Sequence, residues 1–253
     1  MIKKTLMLGY GLISYLLFFA VFNYTILFIG NIVVEPSLDM VGTGDMTDAL
    51  ITNMSLLMAF ALQHSIMARP AFKRLWVKIV PKPIERSTFV LFSSILLAAI
   101  VYFWKPLGGI IWQVQDPVAI GLLYTLFAIG WAILFLASFQ INHFDLFGLR
   151  QVWLNFRGKP YTQLPFKTPF LYRYTRHPLY VGMMIGLWAA PTMTVAHFVF
   201  ALLCTGYIFI GAMLEEKDLE KALPEYKQYK KEVPMFIPKA GTSVKTKPLA
   251  ETA

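Results

Sequence analysis

Five apolar runs, each about as long as the roughly 20 residues a helix needs to cross a lipid hydrocarbon core, constrain this chain more than any other feature. They extend from about Thr5 to Val34, Leu50 to Ala68, Ser87 to Trp104, Pro117 to Ile141 and Leu179 to Leu214. Inside lipid no water is present to satisfy backbone N–H and C=O groups, so such runs are expected to be helices. The 253 residues are 57% hydrophobic and 15% charged, where a soluble domain carries about a quarter charged residues. The length accommodates one helix bundle and no large soluble domain.

The last run is too long for one helix at ordinary tilt. Pro191 falls inside it, and an interior proline loses a hydrogen bond and clashes with the preceding turn. The run therefore reads as a hairpin of two helices, Leu179–Ala190 and Thr194–Leu214, the first too short to ensure a full crossing. The expected fold is an all-α, polytopic transmembrane bundle of five to six membrane helices with short cytoplasmic interfacial helices. Three regions follow: transmembrane helices over 1–141, a cofactor-binding and catalytic region over 142–238, and a flexible tail over 239–253.

Charge supports the hairpin independently. With the turn at Pro191, all but Lys105 of the 23 lysines and arginines fall on one side, which the positive-inside rule makes cytoplasmic. Both termini are then cytoplasmic, as in a bacterial inner-membrane protein. The formal charge of +9 is read as topology-setting charge facing anionic lipid, and no nucleic-acid partner is expected. The first run is too long for the apolar core of a signal peptide. The single cysteine, Cys204, lies in an apolar run and reads as packing.

Ionisable residues gather at the cytoplasmic helix ends, where they are costly and mark a site by default. His64 lies near the end of the second run. Asn142, His143 and Asp145 follow the fourth. Arg173, Arg176 and His177 precede the hairpin, and Glu215, Glu216, Tyr226 and Tyr229 follow it. Pro178 suits the first turn of a helix, whose free N–H groups favour an anion. Gly182, one turn in, admits the close approach of a ligand or a neighbouring helix. Glu215 and Glu216 suit ribose hydroxyls or an ammonium, and Tyr226 and Tyr229 suit stacking on a purine. A ligand with carboxylate, ammonium, ribose and adenine together is S-adenosylmethionine. No metal is expected. A haem reading lacks a Cys-x-x-Cys-His signal.

The set Arg176-His177-Pro178-x-Tyr180-x-Gly182, a hydrophobic hairpin, Glu215-Glu216, Leu219, Tyr226, Tyr229 and Val233-Pro234 resembles the isoprenylcysteine carboxyl methyltransferase superfamily of membrane enzymes. The resemblance implies that residues 173–238 form an S-adenosylmethionine pocket. Residues 63–70 (Gln63 to Pro70), 83–87 (Pro83 to Ser87), 141–151 (Ile141 to Gln151) and 191–197 (Pro191 to His197) are similar to the bacterial methanethiol S-methyltransferase family. That resemblance implies methyl transfer to a small volatile thiol, methanethiol, giving dimethyl sulfide.

An alkyl thiol is only a few per cent ionised at neutral pH, and the thiolate is the nucleophile, so a base is expected. His143, oriented by Asp145, is the first choice and His64 the alternative. Asn142, Phe144 and Phe147 are expected to touch the substrate. His197, beyond the hairpin turn, is expected to be structural. Two other readings stay open: a methyltransferase for a lipid or prenylated substrate, and a non-catalytic membrane module linked to nitrogen-oxide metabolism.

Overall fold

The apolar runs become continuous helices whose ends are set by local chemistry. The computed structural model describes residues 1–42 and 44–238; the tail expected over 239–253 lies outside the described residues. The five helices long and apolar enough to cross a membrane are α1 (Ile2–Gly30), α2 (Met46–Ala68), α4 (Lys82–Phe103), α5 (Pro117–Ile141) and α9 (Val195–Ala222). The molecule is a multi-pass membrane bundle. Short helices α3 (Pro70–Trp76), α6 (His143–Leu146), α7 (Leu149–Phe156) and α10 (Pro224–Glu232) and a 3-10 turn at Phe170–Arg173 lie between and after them.

The boundaries that differ from expectation have identifiable causes. α1 stops at Gly30, short of Val34, because Asn31 turns left-handed and its N–H closes back on Leu27 and Phe28. α2 starts four residues before Leu50, since Asp45 caps it by accepting from the N–H groups of Thr47 (2.7 Å) and Asp48. α9 runs eight residues past Leu214. Glutamate and lysine are good helix formers, so leaving the apolar stretch does not end the helix, and Glu215 and Glu216 sit on it rather than after it.

The hairpin is present. Its first arm, α8 (Pro178–Trp188), spans only about 16 Å at 1.5 Å per residue, roughly half of a hydrocarbon core. The break at Pro191 leads into two short strands that the sequence pattern does not announce. Strand β2 (Thr192–Thr194) pairs antiparallel with β1 (Ile110–Gln113), with Ile110 opposite Thr194 and Gln113 opposite Thr192. Behind them, buried Asp39 accepts from the Thr194 N–H and hydroxyl (both 3.0 Å) and contacts His197 Nδ1 at 2.8 Å, while His197 Nε2 meets the Leu187 carbonyl at 2.9 Å. This buried network ties the hairpin turn to the loop after α1, and His197 is structural there.

α1 packs on α4 and α7, α2 on α4, and α5 on α8. The last contact is backbone to backbone. A Cβ at Gly182 would strike the Gly130 carbonyl and stand 2.8 Å from Leu134 N, and one at Gly130 would stand 2.7 Å from the Gly182 carbonyl. Gly182 therefore serves the helix contact and not a ligand, because α5 occupies the space its missing side chain leaves. The main core, with Phe28, Ile100, Trp131, Leu187 and Phe200, lies between these helices.

Gly182→Val should lower stability by about 1–3 kcal/mol, the usual cost of overpacking. Thermal unfolding in detergent would register the loss, and an unchanged midpoint would contradict the close contact.

Candidate functional site

The hairpin brings the two ends of the sequence motif into direct contact. Arg176, just before α8, reaches Glu216, near the end of α9, with Nε 2.6 Å from Oε1. His177 Nε2 is 3.0 Å from the same oxygen, and Lys230 Nζ from α10 is 3.1 Å from Oε2. Glu216 is 3% exposed. A buried carboxylate is tolerable only when charge and hydrogen bonds compensate its lost hydration, and three donors do so here. The Arg176 terminal nitrogen also donates to the carbonyls of Lys230 (3.1 Å) and Val233.

The segment after α10 closes beneath the same junction. Arg176 N–H donates to Pro234 O (3.0 Å), His177 N–H to Met235 O (3.3 Å), and Thr175 Oγ1 to Met235 O (2.7 Å). Pro178 is fully buried at the start of α8. From the sequence, Arg176 lies beside a helix start that favours an anionic ligand, and Glu216 suits ribose or ammonium. The structure pairs them with each other instead, since two opposite charges at one buried point neutralise one another.

Glu215, one position earlier, has a different environment. Its Oε2 accepts from Tyr180 OH at 2.9 Å, its side chain is 45% exposed, and His177 Nδ1 lies 4.0 Å away. Its other oxygen has no protein donor among the described residues. Arg173 is exposed, held only through Nε to Thr168 O at 3.4 Å. Tyr226 and Tyr229 are buried against Phe166, Leu219 and Val233; they face each other and Phe166, not an open purine-sized face. Tyr229 OH donates to Tyr172 O at 2.6 Å, whereas Tyr226 OH, though buried, has no partner among the described residues. Burial pushes the phenols of Tyr172, Tyr226 and Tyr229 well up, so all three stay neutral donors.

The two histidine candidates differ in a way the sequence could not reveal. His143 is 2% exposed. Ser138 Oγ donates to Phe135 O, so it accepts from His143 Nδ1–H (2.9 Å), and Nε2 accepts from Tyr15 OH (2.8 Å). The ring stacks on Phe139 at 4.3 Å. Both nitrogens are thus engaged, and burial holds the imidazole below its ordinary value. Asp145 does not orient it; its carboxylate goes to Arg150 (2.9 Å) and Tyr161 (3.2 Å), the cations and hydroxyls nearer the surface. Asn142 is a left-handed cap whose side chain accepts from Asp145 N–H. Phe147 stacks on Phe18 at 4.1 Å, and Phe144 is half exposed.

His64, on α2, is freer. Ser93 Oγ donates to Gln63 Oε1 (3.2 Å) and so accepts from His64 Nδ1–H (3.2 Å). This leaves Nε2 as a lone pair with no protein partner among the described residues. The ring lies between Phe60 and Phe89, at 5.2 and 4.9 Å. The sequence alone does not single out Tyr15, Ser138, Ser93 or Lys230. Each is far along the chain from its partner, or is one polar residue inside an apolar run, and only the packing identifies it.

A family described as "Protein of unknown function (DUF1295)" matches residues 71–233. A methanethiol S-methyltransferase of Crocosphaera subtropica is 48% identical over 95% of this chain and 94% of its own length. One of Mycobacterium tuberculosis is 44% identical over 93% of this chain and 97% of its own. Nurim of Sus scrofa is 30% identical over 67% of this chain and 68% of its own. No solved structure matches the chain.

Two outcomes follow from the geometry. Arg176→Ala leaves Glu216 with two donors in place of three and should destabilise the fold by about 3 kcal/mol, the lower end for a broken buried pair. Arg176→Met combined with Glu216→Leu should recover part of that loss, and a double-mutant cycle by thermal unfolding measures it. His143 has a folded pKa below the ordinary 6.5. Its contribution is therefore complete above that pH and declines as pH falls through it, because the unfolded chain then binds the extra proton. The unfolding temperature should drop on acidification, and drop less steeply in His143→Gln.

Proposed function

The chain belongs to the DUF1295 family and to the methanethiol S-methyltransferases, and from that membership we propose that it methylates methanethiol to dimethyl sulfide with S-adenosylmethionine as donor. The observation that carries the donor side is the asymmetry of the paired glutamates. Glu216 is consumed by Arg176, His177 and Lys230, while Glu215 keeps an accessible oxygen on a side chain steadied by Tyr180.

The residues present fit such a donor. Glu215 would take the ribose hydroxyls or the ammonium, and exposed Arg173 the carboxylate. Tyr226 OH, buried without a protein partner among the described residues, is the polar atom a ligand would complete. Arg176, His177 and Glu216 hold these groups in place and do not themselves bind. Tyr229 and Pro178 brace the wall, and Gly182 seats the α8 backbone on α5.

S-adenosylmethionine supplies a methyl group already activated on a sulfonium. The chain's own residues then align the acceptor in line with it and remove the acceptor's proton. His64 is suited to removing that proton, since its Nε2 lone pair is unengaged and the Ser93–Gln63 chain holds the other nitrogen as the donor. His143 supports the α5 end through Tyr15 and Ser138. Phe60 and Phe89 offer apolar walls that exclude water from a small thiol.

The site lies on the cytoplasmic side of a bacterial inner membrane in this reading. Basic residues on that side, from Lys3 and Lys4 to those of α10, support it, and a charged donor arrives from the cytosol.

Purified protein supplied with methanethiol and S-adenosylmethionine should release dimethyl sulfide, detected by headspace gas chromatography. Folded protein that binds the donor and yields none would end the assignment. Glu215→Gln should weaken donor binding about tenfold by calorimetry, the worth of one hydrogen bond to a charged group, with the thiol KM little changed.

A further inference from the structure

Arg86 is not accounted for by the donor pocket or by the hairpin. It sits in the first turns of α4, beside the α6–α7 segment and close to α2. Its Nε donates to Leu146 O (2.7 Å) in the α6–α7 segment, and its guanidinium carbon stands 4.9 Å over the Phe89 ring. His64 of α2 packs on that same ring at 4.9 Å. Two terminal nitrogens, carrying most of a guanidinium's donors, make no hydrogen bond or ion pair among the described residues, and the residue is only partly buried.

The surroundings leave that charge uncompensated at close range. Glu85, Asp145 and Glu215 act on it from farther off without pairing with it, and Asp145 is engaged by Arg150 and Tyr161. Ser87 Oγ and Gln151 Oε1 border the same junction, buried and without a partner among the described residues. Gly148 lets the two segments meet: its φ is +88°, and a Cβ there would stand 2.8 Å from both Ser87 N and Oγ. Natives keep few such orphaned atoms, and those they keep ask for a role. A cation with free donors, an apolar ring beneath it and a histidine lone pair beside that ring are the elements an S–H acceptor requires.

We propose that Arg86 is a catalytic residue that holds the acceptor's sulfur as a thiolate, while His64 Nε2 receives its proton. The inference rests on the thiol-methyltransferase reading and says how that reaction is driven. The S–H bond breaks, its proton goes to His64 and its electron pair stays on sulfur. That pair forms the new S–C bond to the donor's methyl, and the old C–S bond leaves its electrons on the donor sulfur as a neutral thioether. Arg86 alone would disfavour an imidazolium close by; the thiolate between the two cations offsets this.

The size of the effect can be bounded. A cation adjacent to the sulfur lowers its pKa by about two units, raising the thiolate fraction about a hundredfold. Nucleophilicity falls with pKa at a Brønsted slope of about 0.45, which returns about eightfold. The net gain is about tenfold, and it vanishes for a thiol already ionised.

The test compares ethanethiol with the similarly sized, more acidic 2,2,2-trifluoroethanethiol in wild type, Arg86→Met and Arg86→Lys, with donor affinity measured by calorimetry. Arg86→Met should lose about tenfold in kcat/KM for ethanethiol and about twofold or less for the fluorinated thiol, at unchanged donor affinity. Arg86→Lys, keeping the charge, should fall between. Equal losses for both thiols, or none, overturn the proposal and leave the methyltransferase reading standing. A wild type that methylates neither of these thiols nor methanethiol removes that reading and this one with it. If Arg86→Met does not fold, thiocyanate decides in wild type: competition against thiol supports the anion site, and its absence overturns it.

Discussion

The buried contact between Arg176 and Glu216 is the interaction on which the rest of this molecule depends. It joins residues 40 apart in sequence at the two ends of the hairpin, so it closes the hairpin. An ion pair away from water gains little net energy, because desolvation offsets the Coulomb attraction. Its value here is geometric. With Glu216 satisfied by Arg176, His177 and Lys230, the neighbouring Glu215 is free to face outward on a rigid helix end.

A second principle is the division of histidines by the state of their second nitrogen. His197 contacts a carboxylate on one side and a carbonyl on the other, and it stitches a turn. His143 donates to Ser138 and accepts from Tyr15, and it stitches α5 to α1. Of these three, His64 is the one with one nitrogen committed and the other open among the described residues. Three buried or half-buried imidazoles with similar sequence surroundings therefore have different chemical capacity, decided by which acceptors and donors surround each ring.

Much of the fold was legible because hydropathy and charge are local. The five runs, the break at Pro191 and the gathering of the Arg176 and Glu216 segments at one rim follow from run length, one proline and the distribution of lysines and arginines. What stayed hidden depended on distant partners. Nothing near His143 signals Tyr15, 128 residues earlier. Nothing near Gly182 tells that its open face belongs to Gly130 and not to a ligand. Asp145 beside His143 in sequence suggested a dyad, but residues two apart on a helix do not face each other, and Arg150 claims the carboxylate. Strands β1 and β2 are too short for an alternating pattern to announce them.

The glycine seam between α5 and α8 carries one more consequence. Where two backbones touch with no side chain interposed, nothing can pass between them without prising the helices apart. An oily solute arriving sideways from the bilayer is thus shut out along this edge. It must come in by another edge of the bundle.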